Sequence, residues 1–208
     1  MILQALVRNP IHGFTTLLLV VAVFSAGGCR DDAAAPTDTF SIGQPLGSPL
    51  DTMNALQWSL DNHAPAGWRD ALDPSFTYVP DPAAATRYPT AFDVWDHDAE
   101  AAFVETLFTA DLEFTARMVG ADFTPPPLDG ATCVWTACPY TLQVAGPGGA
   151  SPVAYSGVAK LEFRLAGAFW YLTRWEDLHG GTAPWNPQVV LPTLGELRGA
   201  FASPPPAR

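Results

Sequence analysis

The sequence predicts an α+β domain with a curved antiparallel sheet, preceded by an export signal. Two observations carry this. The hydrophobic period switches from about 3.6 residues to 2 just after Phe108, so that helices come first and strands later. The later strands are joined by short turn sequences, of which Ala166-Gly167-Ala168 is the tightest, as an antiparallel meander requires.

Along the chain, residues 30–50 hold Ala, Pro, Thr, Asp, Gly and Ser with few apolar anchors and read as a flexible tether. Ser48-Pro49-Leu50-Asp51 is a helix start, with proline early and an acid in the first turn. Leu50, Met53, Ala55, Leu56, Trp58 and Leu60 then recur at helical spacing up to about Asn62. A second short helix is expected over 66–72, with Trp68, Ala71 and Leu72 inward, ended by Asp73-Pro74. Phe76-Thr77-Tyr78-Val79 is a strand stopped by Pro80, and 81–89 is a loop. The long helix is expected over 93–108. Val94, Trp95, Ala99, Ala102, Phe103, Leu107 and Phe108 form its apolar stripe, while Asp96, Asp98, Glu100 and Glu105 face away.

Four strands come next. Leu112, Phe114 and Ala116 alternate with polar residues. Residues 134–144 form a strand kinked at Pro139. Ala159, Leu161, Phe163 and Leu165 alternate with charges, and 169–175 is the last strand. The Pro- and Gly-rich tail contains Trp185 and then 193–201, one short helix whose Leu194, Leu197 and Phe201 share a face that packs on the domain or mediates assembly. Ser203-Pro204-Pro205-Pro206 reads as disordered.

The N-terminus gives location. Arg8 and His12 precede an apolar run over 14–24. Such a run is too short to span a hydrocarbon core of about 30 Å. Ser25-Ala26-Gly27-Gly28-Cys29 comes after it, small residues leading to a thiol. This resembles the lipobox of bacterial lipoproteins, with Ala26 where Leu is usual, and implies cleavage before Cys29 and lipidation of its sulfur. Arg30 rather than Asp at the next position implies, by the same resemblance, the periplasmic leaflet of the outer membrane in a two-membrane bacterium. The divisions are then 1–28 signal, 29–49 lipidated cysteine and tether, 50–178 domain and 179–208 tail.

The whole chain carries 10 Lys and Arg against 21 Asp and Glu, a formal charge of −11. Removing residues 1–28 takes away one Arg and no acid, which makes the charge −12. That balance excludes nucleic acid as partner and excludes a polybasic contact with anionic lipid. Membrane attachment therefore falls to the lipid. Cys133 and Cys138, spaced C-x4-C in an exported chain, read as a disulfide, against the alternative of two half-buried thiols. No second pair or nearby His completes a metal site, and no cofactor fingerprint is present.

Three stretches together resemble the nuclear transport factor 2-like superfamily, which includes SnoaL-like proteins and ketosteroid isomerases. They are Leu56-Gln57-Trp58-Ser59-Leu60 through Leu72-Asp73-Pro74-Ser75-Phe76-Thr77-Tyr78, then Trp95 with the acidic helix ending Leu107-Phe108, then Phe169-Trp170-Tyr171-Leu172-Thr173-Arg174-Trp175-Glu176-Asp177. The likeness is closest to lipoproteins of that superfamily. It implies a cone-shaped sheet wrapped around the long helix with a pocket at its wide end, where Trp58, Tyr78, Trp95, Tyr171 and Trp175 are lining aromatics or, on the plainer reading, core.

Acid–base candidates are Asp177, at the sheet rim, and His63, in a proline-flanked turn. Asp177 could instead be a structural acid paired with Arg174 or capping a turn. Asp70 and Asp73 fit local backbone hydrogen bonding, and Asp96-His97-Asp98 fits a solvated helix face better than a metal site. No catalytic position of the isomerases is matched. The expectation is therefore a non-catalytic lipoprotein domain that binds a small apolar ligand or an envelope protein. The alternatives are a SnoaL- or isomerase-like enzyme and a structural assembly protein.

Overall fold

Helix-forming segments flank one mixed five-stranded sheet in the computed structural model, which describes residues 46–110, 112–119, 123–146, 151–183 and 186–203. The signal segment, Cys29, most of the tether, Trp185 and Pro204-Pro205-Pro206 lie outside the described residues. The elements are α1 (Pro49–Asp61), α2 (Pro65–Asp70), β1 (Leu72–Val79), α3 (Pro82–Arg87), α4 (His97–Thr109), β2 (Glu113–Arg117), β3 (Thr132–Ala145), β4 (Val153–Ala166), β5 (Phe169–Gly180), β6 (Thr182–Ala183), β7 (Asn186–Val190) and α5 (Leu194–Ala202).

Helix starts are set by caps. Ser48 accepts a hydrogen bond from Asp51 N at the start of α1, and Asp96 accepts from Asp98 N and Ala99 N at the start of α4. The long helix therefore begins later than its apolar pattern suggests, and Val94 is left exposed. Asp81 caps α3 in the same way, turning the expected 81–89 loop into a short helix.

Strand order in the sheet is β1-β5-β4-β3-β2. The β2-β3-β4-β5 meander is antiparallel as expected, but β1 joins β5 in parallel, so the sheet is mixed. A parallel neighbour needs a long crossover, and α3, α4 and the meander supply it. Gly167, with a left-handed φ of 66°, makes the tight turn between β4 and β5, where positive φ matches the strand twist.

Irregular pairing curves the sheet. Leu172 pairs with Phe163 and Arg174 with Glu162, so Thr173 is extra on β5; Leu178 is extra between the partners of Ala159 and Val158. On β3, two residues are passed between Trp135 and Cys138 where β4 passes only one, and Ala137 there takes a left-handed φ of 56°. Each bulge reverses the in–out phase of the residues beyond it. That is how Trp170 and Leu172, then Trp175 and Asp177, all reach the inner face.

The inner face packs on α1, α4 and α5 around one core that includes Leu56, Phe76, Phe103, Trp135, Leu161, Phe163, Leu172 and Trp175. Thr52 on α1 donates to Trp170 O at 2.8 Å, pinning helix to sheet. Cys133 and Cys138 are free, buried thiols rather than a disulfide. Their partners on β4 are Phe163 and Ala159. Positions four apart on a strand are separated by about 13 Å, whereas a disulfide needs Cα atoms within about 7 Å. Burial pushes the Cys138 thiol up to about 12.

The tail is part of the domain. Leu194 and Leu197 are buried in the same core, and Phe201 packs edge-on to Trp95 and Phe103. Helix α5 lies close on α3 because Gly195 and Gly199 carry no side chain. A Cβ on Gly195 would sit 2.9 Å from Ala84 Cβ, and one on Gly199 would collide with the Tyr88 ring. Gly199→Ala should therefore force that ring aside and cost about 1–3 kcal/mol. Leu161→Ala, in the centre of the sheet, should cost about 2–5 kcal/mol. Urea unfolding at constant m-value measures both.

Candidate functional site

At the inner end of the sheet, β1, β5 and α4 bring aromatic rings around two carboxylates. One is Asp177, placed inward by the β5 bulge at Thr173. The other is Glu100, in the first turn of α4. Expected on the solvated side, Glu100 is 0 % exposed. A carboxylate in such apolar surroundings depends on a partner. That partner is Arg198 of α5, 1 % exposed.

Arg198 grips Glu100 with two hydrogen bonds, Nε to Oε2 at 2.8 Å and Nη2 to Oε1 at 2.6 Å. This is the fork geometry in which guanidinium and carboxylate bind most strongly. The Trp95 indole N–H also donates to Glu100 Oε2, at 2.7 Å. The guanidinium carbon lies 4.2 Å from the Tyr78 ring centroid. It lies 5.5 Å from that of Phe103 and 5.7 Å from that of Trp175. A cation so placed is attracted by the negative faces of the rings. Its Nη1 has no hydrogen-bond partner among the described residues. Burial lowers the pKa of Arg198, but the ion pair with Glu100 outweighs it and holds the group above its ordinary value.

Asp177, 2 % exposed, is the hub beside it. Tyr78 Oη donates to Oδ2 at 2.6 Å; Tyr140 Oη and Trp175 Nε1 donate to Oδ1 at 2.9 and 2.8 Å. Gly195 N donates to Oδ2 at 3.3 Å, and Leu194 N donates to Tyr140 Oη at 3.1 Å. The N-terminus of α5 therefore rests on a buried carboxylate, a placement its helix dipole favours. The Thr193 cap hydroxyl donates in turn to Asp81. Burial raises Asp177 above the usual carboxylate value, against the opposing charge of Arg198 and the three side-chain donors. Both phenols are pushed well above theirs, by burial first and by the charge of Asp177 second.

This arrangement sorts the expected residues. Tyr78, Trp95 and Trp175 are brought together, but as core closed over by α5 rather than as an open lining. Tyr171 alternates with buried Trp170 and Leu172, so it lies half-buried on the opposite face of the sheet. Trp58 is half-buried beside Gly67 of α2. His63 is exposed, at φ 49°, with its ring edge-on to Phe114 and Phe108. The expected pairing of Asp177 with Arg174 does not form: Arg174 bonds Glu176 at 3.2 Å, and Asp177 faces the interior. Asp73 bonds Ser75 N at 2.9 Å and also Arg164. Asp96 is a helix cap, and His97 meets Asp98 at 3.2 Å.

The residues missed were Glu100, Tyr140 and Arg198. An arginine between Leu197 and Gly199, in an apolar helix that carries few charges, is the one local sign that could have marked it.

No family model matches the chain, and no curated protein sequence does. Solved structures similar to it belong to the nuclear transport factor 2-like superfamily, and the likeness is one of fold. One is a superfamily protein from Salmonella enterica, 11 % identical, covering 61 % of this chain and 84 % of that one with a TM-score of 0.45. Another, of unknown function, is from Pseudomonas putida, 8 % identical, covering 68 % and 90 % with a TM-score of 0.44. A third is from Cytophaga hutchinsonii, 10 % identical, covering 62 % and 93 % with a TM-score of 0.42.

Arg198→Met leaves Glu100 buried without its counter-ion and should cost about 3–5 kcal/mol; adding Glu100→Gln should recover part of it, in a double-mutant cycle by urea unfolding. Stability should also fall in alkali. Folded-state pKa values of Tyr78 and Tyr140 are raised. Their contribution is therefore whole below the unfolded value of about 10 and is lost as pH rises through the folded values. Unfolding midpoints measured from pH 8 to 11.5 should drop above about pH 10, and Tyr78→Phe should shallow that drop by about one proton.

Proposed function

We propose that this chain is a lipoprotein of the bacterial envelope, held in the membrane by an acylated Cys29, whose NTF2-like domain is a non-catalytic module for binding another envelope protein. In a bacterium with two membranes it faces the periplasm from the outer one. The observation that carries the binding reading is the insertion of Arg198 among Tyr78, Phe103 and Trp175, because it fills with the chain's own helix the interior where a small apolar ligand would sit.

Chemistry supports the non-catalytic part. A general base needs a lone pair within reach of a substrate proton. Both oxygens of Asp177 already accept hydrogen bonds, from two phenols, an indole and a backbone amide, and the carboxylate is sealed from solvent. His63 stands outside this network, among Phe108 and Phe114. The formal charge of −12 after signal removal turns nucleic acid and anionic lipid surfaces away.

The full chain, expressed in a bacterial host and extracted in mild detergent, tests this by mass spectrometry. The intact mass should correspond to a polypeptide starting at Cys29 plus its acyl groups, and Cys29→Ala should lose the acyl mass. The native spectrum should carry no small molecule. An unprocessed, unacylated chain overturns the anchoring, and a stoichiometric adduct released on denaturation overturns the partner-binding reading in favour of a ligand-holding domain.

A further inference from the structure

Every group that grips Arg198 belongs to another part of the fold. Glu100 and Phe103 come from α4, Tyr78 from β1 and Trp175 from β5. Each carboxylate also has partners outside α5. Glu100 keeps its bond from Trp95, and Asp177 keeps Tyr78, Tyr140 and Trp175, while α5 adds the Arg198 fork to Glu100, the Gly195 amide to Asp177 and the Leu194 amide to Tyr140 Oη. With α5 lifted away, an aromatic chamber is left holding two oriented acids that have lost their counter-ion. The geometry points to a preformed binding site for an arginine side chain carried on a helix: α5 occupies it in cis, and an arginine-bearing amphipathic helix of a partner protein takes it in trans when α5 withdraws. This rests on the partner-binding reading above and names the partner's chemistry.

The site specifies its occupant. A planar guanidinium matches Glu100 through two parallel hydrogen bonds while stacking on Tyr78, which an ammonium cannot do. The helix must approach closely, so small residues are needed three positions before and one after the arginine, as Gly195 and Gly199 are. Leucine one position before and an aromatic three after fill the places of Leu197 and Phe201. An acid two positions before meets Arg87 at the rim, where Glu196 does so at 2.8 Å. Helix α5 is short, nine residues entered through Leu191-Pro192, so few residues move when it leaves the site. Sub-global units of this size open at free energies below that of the whole domain.

The test uses the full chain carrying Arg198→Ala and a fluorescein-labelled synthetic peptide of residues 193–203. Fluorescence anisotropy should show this peptide binding at least tenfold more tightly than the same peptide with alanine at 198. Adding Glu100→Gln to the protein should weaken binding by a similar factor. A folded Arg198→Ala chain that binds neither peptide, or both equally, overturns the proposal. Should that variant lack cooperative unfolding, hydrogen exchange on the unmodified chain decides. Amides of α5 exchanging at least tenfold faster than those of Leu161 and Phe163 support a helix that leaves its site, and equal protection overturns it. Neither result alters the native mass spectrum, so a bound small molecule would defeat the partner-binding reading separately.

Discussion

The ion pair between Glu100 and Arg198 is the constraint on which the rest of the interior depends. Two charges out of water cost several kcal/mol each unless both are paired and hydrogen-bonded, and here each answers the other's need with two bonds. Removing either leaves the other a buried charge without its counter-ion. Helix α5 therefore cannot be treated as a loose tail, because without it an acid stands unneutralised among Trp95, Tyr78 and Phe103. Gly195, Gly199 and Thr193 then become intelligible as fittings that let a charged helix come close enough to deliver its guanidinium.

Asp177 and the β5 bulges form the second half of the same design. A regular strand carrying Leu172 inward would put Arg174 inside and Trp175 out. One extra residue at Thr173 reverses this, admitting Trp175 and Asp177 while Arg174 joins Glu162 and Glu176 on the outer face. The bulge thus selects which charges the domain buries. Asp177 is tolerated inside because four donors reach it, two of them on strands that the chain visits far apart, β1 and β3. These long-range bonds bind the sheet's parallel edge to its antiparallel meander and to the start of α5.

Most of the architecture was legible because it is local. Alternation marked β2 to β5, the 3.6-residue period marked α1 and α4, and Leu194, Leu197 and Phe201 marked α5 as a face to be packed. The features that escaped were of two kinds, pairings between distant parts of the chain and local departures from a regular pattern. Asp81 read as a loop residue because its cap role shows only with the helix after it, and β1 gave no sign that its partner would be parallel and far later in the sequence. Glu100 looked solvated because its partner lies 98 positions on. Tyr171 looked like lining because the bulge at Thr173 shifts the alternation by a residue, and a bulge leaves little trace in composition. Cys133 and Cys138 looked like a bridge on spacing and export alone, which do not show that an extended strand holds them apart. The site was half legible: Tyr78, Trp95, Trp175 and Asp177 were expected near one another, while the residue that joins them was not.

Because Arg198 and Glu100 stand 98 positions apart, damage late in the sequence is felt at the centre of the domain. A chain cut before residue 194 keeps all five strands of the sheet but leaves Glu100 buried without its counter-ion and Asp177 without the α5 amide. Its fault lies in the interior, where neither the strands nor the remaining aromatic rings can supply the missing charge.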